Sequence, residues 1–140
     1  APEALGVDEE AIPFTLETEP SVEVLVPTAL TFVLMKLGAL KDRSEDKEKD
    51  YGRHHALDLY RCVAMLTPAE DEAAARIRER QAGSDSLAAA QEQVETLFGE
   101  PDAVGMLRLR EHELLPEGVD IERFVEELRL LTGSGQRPMP

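Results

Sequence analysis

Apolar residues alternate with polar ones at a period of two only near the start of the chain. The series Phe14/Leu16 and Val22/Val24/Val26, on either side of Glu19-Pro20-Ser21, predicts two short strands joined by a turn. From Pro27 onward the period lengthens to three and four. Leu30, Val33, Leu34, Leu37 and Leu40 form the core-facing stripe of a long first helix that starts at Pro27, where a missing backbone donor is tolerated. A second helix begins at Tyr51 or Gly52, carries Leu57, Tyr60, Val63 and Ala64, and ends near Leu66.

Thr67-Pro68-Ala69-Glu70 then reads as a capping box with proline at the first helical position, which opens a third helix running to about Ala82. Ile77 is its only large aliphatic residue, so this helix is expected on the outside. Gly83-Ser84-Asp85 breaks the pattern, and Leu87, Ala90, Val94, Leu97 and Phe98 mark a fourth helix stopped by Gly99. Asp120 caps a last helix bearing Phe124, Val125, Leu128 and Leu131, with Gly133 as its stop. Residues from Glu100 to Gly118 show no readable period. The expected fold is mainly α, a bundle of about five helices with a short strand pair at its N-terminal end. Residues 13–132 would form one domain, after an irregular acidic lead-in over 1–12 and before a flexible tail over 133–140.

Composition narrows the function classes. A chain of 140 residues can bury one core, and no window is apolar for long enough to cross a bilayer, so membrane insertion is not expected. The net charge of -14 opposes direct nucleic-acid binding, because phosphate contacts need a basic surface that displaces counterions. Cys62 is the one cysteine, which rules out an internal disulfide and fits a reducing cytoplasmic setting. Its apolar neighbours make it a buried structural thiol. The first residue is not Met and no secretory signal is present, so the chain is expected to be a processed product, a tag remnant or a piece of something longer. Asp42 to Asp50 is dense in charge and is expected to be a solvated, mobile connection.

The candidate chemistry lies at Arg53-His54-His55-Ala56-Leu57-Asp58-Leu59-Tyr60-Arg61, where ionisable groups collect on the second helix. His54 and Asp58 are one turn apart and share a face. Lys36 and Arg43 stand two turns apart on the first helix and can meet that face. A metal-ligand cluster, a paired-acid motif and a Gly-rich phosphate loop are all missing from the sequence. Glu17, Glu19 and Glu23 are read as solvated strand residues and no metal site is assigned.

Lys36-Leu37-Gly38-Ala39-Leu40-Lys41-Asp42-Arg43 and His54-His55-Ala56-Leu57-Asp58-Leu59-Tyr60, with the junction from strand to proline, resemble the carboxy-terminal helical half of AbiEii-like nucleotidyltransferases over roughly Val22 to Met65. The resemblance implies a nucleotide site. Lys36 would contact the nucleotide or its triphosphate, Arg43 would support phosphate charge, His54 would provide a second basic contact, and Asp58 would be the catalytic-site carboxylate that orients basic groups or nucleotide. His54 and His55 stand where that family often has Lys and Asp, which would make the second basic contact depend on pH. The family also has an amino-terminal Gly-rich turn and an Asp-x-Asp strand that holds Mg2+, and neither is found in this sequence. The chain is therefore expected to lack transferase activity alone, with Mg2+ and an NTP bound only by an intact enzyme.

Two other readings compete. Arg53, His54, Asp58 and Arg61 would form an ion network between helices, with the stem of Lys36 covering Val33 and Leu37. Alternatively the chain is a non-catalytic helical module that binds a protein partner or a second copy through its strand edge and acidic face.

Overall fold

A computed structural model describes residues 11–17 and 22–134. Of the expected lead-in over 1–12 only residues 11 and 12 are described, with Ile12 already in β1, and of the expected tail over 133–140 only Gly133 and Ser134; the Glu19-Pro20-Ser21 turn lies outside the described residues. The elements are β1 (Ile12–Leu16), β2 (Val22–Val26), α1 (Ala29–Arg43), a tight 3₁₀ segment (Lys47–Gly52), α2 (Arg53–Ala64), α3 (Pro68–Arg80), α4 (Asp85–Phe98), α5 (Val104–Arg110) and α6 (Ile121–Thr132). The fold is mainly α, as the apolar periodicity predicts.

The two strands pair antiparallel, with Ile12 opposite Val26 and Phe14 opposite Val24. Among the described residues no helix packs broadly along them. Leu16 and Val26 are consequently 40% and 45% exposed.

Helix α1 starts at Ala29 rather than at Pro27. Thr28 is extended, and its hydroxyl accepts from the Thr31 amide at 3.4 Å. Threonine satisfies a free amide of the first turn, which proline has no side-chain acceptor to do. The Thr67/Glu70 capping box forms as the sequence suggests. Asp120 and Gly133 bound α6, the glycine in the left-handed conformation at φ 87°.

The stripes of α1, α2, α4 and α6 meet in one continuous apolar cluster, with Leu30, Leu34, Leu37, Leu40, Leu59 and Leu128 fully buried. Three aromatic rings bridge it edge to face. Phe98 of α4 lies 5.5 Å from Phe124 of α6, which lies 5.7 Å from Tyr60 of α2. Helix α3 contributes Ala73, Ala74 and Ile77 to the core and is otherwise largely at the surface. The C-terminal end of α6 is held from outside. Arg78 donates to the Leu131 carbonyl at 2.8 Å, and Gln91 donates to that of Thr132 at 3.1 Å.

Two stretches differ from the sequence reading. Helix α5 occupies part of the region without a readable period, since seven residues with only Met106 and Leu109 as large buried side chains carry too little repeat to be seen. It packs so closely on α4 that a Cβ at Gly105 would lie 2.4 Å from the Leu97 carbonyl oxygen. The charged stretch at Asp42–Asp50 is largely exposed, as a solvated connection should be, but it carries regular structure: α1 extends to Arg43, and Asp46 caps the 3₁₀ segment by accepting from the Glu48 amide at 3.0 Å. Helix α2 follows at Arg53 and closes at Ala64, two residues before Leu66.

Candidate functional site

The approach of α2 to α1 is set by the connection between them. Asp50, Tyr51 and Gly52 all take left-handed backbone angles, with φ of 51°, 56° and 69°. That conformation is uncommon for tyrosine, so contacts must hold it. The Tyr51 ring lies between two guanidinium groups, 4.9 Å from that of Arg53 and 4.7 Å from that of Arg108. Glu111 accepts from both, at 3.3 Å from Arg53 and 2.6 Å from Arg108, and Arg108 also donates to the Ser44 carbonyl at 2.8 Å. These hydrogen bonds, that from Arg108 first, hold the Glu111 carboxyl below the usual carboxylate range.

Gly52 is the N-cap of α2 and faces Leu40 and Arg43 of α1. A Cβ there would lie 3.2 Å from Leu40 Cδ1. Gly52→Ala is expected to lower stability by about 1–3 kcal/mol, from left-handed strain and crowding together. Urea unfolding checks this, and a loss below about 0.5 kcal/mol would show that the junction adapts.

With α2 so placed, Lys36, Arg43, His55 and Asp58 come together. Lys36 Nζ lies 2.9 Å from Asp58 Oδ2 and 3.4 Å from His55 Nδ1, and Arg43 Nη1 lies 2.8 Å from His55 Nε2. Lys36 also sits 5.4 Å from the centre of the Phe32 ring. Among the described residues Arg43 pairs with no carboxylate, so the cluster holds two cations and a single acid, which is taken by Lys36. In a chain of net charge -14 this is a local excess of positive charge.

The sequence-derived set is therefore largely assembled, with one exchange. His54 is exposed, and its described contact is with the neighbouring ring of His55, 3.9 Å between centres. His55 is the histidine at the centre. It is only 8% exposed, and it stands four residues before Leu59 and eight before Val63, both buried. That helical spacing is the signal by which His55 could have been placed on the inward face. Desolvation first, and then the nearby His54, Lys36 and Arg43, push its pKa down to about 4 against the opposing effect of Asp58. His55 is thus neutral at pH 7.

The expected network of Arg53, His54, Asp58 and Arg61 does not form as one unit. Arg53 turns to Asp50 and Glu111, while Asp58 turns to Lys36. Arg53 and Asp58 stand five positions apart on α2 and so lie on different faces, Arg53 toward the 3₁₀ segment and Glu111. The stem of Lys36 does not simply run to water, because its ammonium is held by Asp58.

Beside Asp58 a groove of about 410 Å³ opens, lined by Phe32, Asp58, Arg61, Cys62, Met65 and Glu70. A larger one of about 700 Å³ lies between α2, α3 and α6; of the four clustered residues only Asp58 borders the smaller groove, and none borders the larger. Cys62 is half-buried rather than fully enclosed. Burial, with the Glu70 charge, raises its pKa to about 11, so it remains a thiol without nucleophilic character. Among the described residues no three His, Cys, Asp or Glu side chains gather as metal ligands. Nor is any described helix long and apolar enough to cross a membrane.

Comparison with protein-family models, with curated proteins and with solved structures finds no match.

Proposed function

We propose that the Lys36–Arg43–His55–Asp58 cluster is the phosphate end of a nucleotide site, and that this chain is the helical half of a nucleotidyltransferase-like protein. The observation that carries the reading is the convergence of two cations from α1 on a neutral imidazole and one carboxylate from α2. Phosphoryl and nucleotidyl transfer require fixed positive charge where phosphate oxygens sit, more than they require covalent chemistry from the protein.

In this role Lys36 binds phosphate, Arg43 offers the donors that no carboxylate occupies, and Asp58 is a positioning residue that aims the Lys36 ammonium. Phe32 and Met65 give the adjoining groove an apolar wall against which a flat base can lie. His54, at the exposed edge, supplies a further basic contact. A Gly-rich turn and an Asp-x-Asp strand from another segment would supply the metal site, and the two-stranded sheet, whose described strands pair only with each other, leaves outer edges that suit further strands.

The test is the encoded reading frame, expressed whole and assayed for Mg2+-dependent nucleotide transfer. Lys36→Ala is expected to lower the rate by about 100-fold or more, as the loss of a charge clamp does, while Asp58→Ala weakens the same step by freeing Lys36. A whole product without transfer activity, or one in which Lys36→Ala is as active as the parent, would sink the reading. The same outer strand edges also support a second reading, a non-catalytic module that adds a partner's strand or a second copy. An inactive product whose mass in solution rises with concentration would favour it.

A further inference from the structure

The two contacts of the His55 ring cannot both be ordinary hydrogen bonds. A neutral imidazole carries one N–H and one lone pair, while a guanidinium and an ammonium only donate. Arg43 Nη1 lies 2.8 Å from Nε2 and Lys36 Nζ lies 3.4 Å from Nδ1. The shorter contact decides the tautomer: a proton on Nε2 would press two donors together at 2.8 Å, so Nε2 accepts from Arg43 and Nδ1 carries the proton. The Nδ1–H then faces an ammonium that has no lone pair to offer. Asp58 Oδ2 takes one of the three ammonium protons at 2.9 Å, and the others remain.

Two donors from different helices thus converge without an acceptor between them. An oxygen seated about 2.8 Å from each, the usual length of a charge-assisted hydrogen bond, would accept from both and relieve the mismatch. We propose that His55 Nδ1–H and Lys36 Nζ together form a recognition pair for one phosphate oxygen of the ligand, with Arg43 fixing the imidazole in the tautomer that donates. This rests on the nucleotide reading above and adds His55 to it as a direct ligand contact. The oxygen class is set by charge: a site with two cations and one carboxylate favours an anionic acceptor over a neutral carbonyl.

Nitrogen-15 NMR of the histidine-labelled chain at pH 7, without ligand and with inorganic triphosphate, tests this, the His55 signals being assigned from a His55→Gln variant. The expected result is a protonated Nδ1 and an unprotonated Nε2, and a triphosphate-dependent shift of the Nδ1 signal that Lys36→Ala removes. A ring protonated on Nε2 overturns the recognition pair and leaves the nucleotide reading to the transfer assay. Binding of triphosphate, seen by its phosphorus signal and lost in Lys36→Ala, with no change at Nδ1 also overturns the pair while supporting Lys36. Failure of triphosphate to bind at all overturns the pair and counts against the nucleotide reading as well.

Discussion

Phe98→Ala is expected to lower stability by about 3–5 kcal/mol, the range for emptying a buried aromatic site. The side chain is 2% exposed and forms one end of the stack through Phe124 to Tyr60, so its removal empties space where α4, α6 and α2 meet. Relaxation into that space is limited on the α5 side. Gly105 lets α5 approach α4 so closely that an added Cβ would meet Phe98 ring atoms at 3.0 Å, and the backbone there is already in contact. Against a total of about 5–15 kcal/mol for a domain, the loss consumes much of the margin and lowers the melting temperature by roughly 10–20 °C. Leu107→Ala, at a side chain 42% exposed on α5, is the control and is expected to change stability by about 0.5 kcal/mol or less. Thermal and urea unfolding of both variants check this. Equal losses in the two would mean that the aromatic stack is not what joins the helices.

Acidification is expected to destabilise the protein through His55 before the carboxylates act. Its pKa falls from 6.5 to about 4 in the folded chain, first because of burial and then because His54, Lys36 and Arg43 oppose a further positive charge. Between these values the unfolded chain binds the proton and the folded chain does not, so stability rises with pH across this window. The contribution is complete above pH 6.5 and is lost as the pH falls toward 4. Its full size is about 3 kcal/mol, from the free energy attached to each tenfold change in proton affinity.

Glu95 and Glu111 act in the same direction, but in a lower range. Each is held below 4.5 chiefly by a hydrogen bond, from Arg129 and from Arg108 respectively, so their stabilisation is lost only as the pH falls below that value. The interval from pH 6.5 to 4.5 therefore reports on His55. His55→Gln, which cannot titrate, is expected to flatten the stability curve there. Urea unfolding at a series of pH values gives the comparison, and equal slopes in parent and variant would refute the assignment.

The two outcomes bear on function together. Protonating His55 would put a third cation between Lys36 and Arg43 and remove the acceptor that Arg43 uses. The arrangement that gathers positive charge for a phosphate is thus the one that makes the imidazole hard to protonate. The Tyr51 clamp serves the same end from a distance: by holding the left-handed turn, Arg53, Arg108 and Glu111 set the start of α2 and hence which of two adjacent histidines faces inward.

The helical order is legible in the amino-acid sequence, because a buried helix repeats its apolar residues every three to four positions and a capped end shows its polar residue directly. The stripe from Leu30 to Leu40, the Thr67/Glu70 box, and the limits Asp120 and Gly133 are local facts of this kind. The sequence also brought Lys36, Arg43 and Asp58 forward as a set, since residues one or two turns apart share a face. What it could not carry were the features that depend on distant partners. Helix α5 is too short for a period and exists by packing through Gly105 on α4. The 3₁₀ segment is held by Arg108 and Glu111, more than fifty positions away in the chain, as the Arg53–Glu111 and Arg108–Ser44 bonds show. The spacing of His55 to the buried Leu59 and Val63 marks it as the inward histidine of the pair, but that Lys36 and Arg43 flank its ring follows only from the docking of α2 on α1.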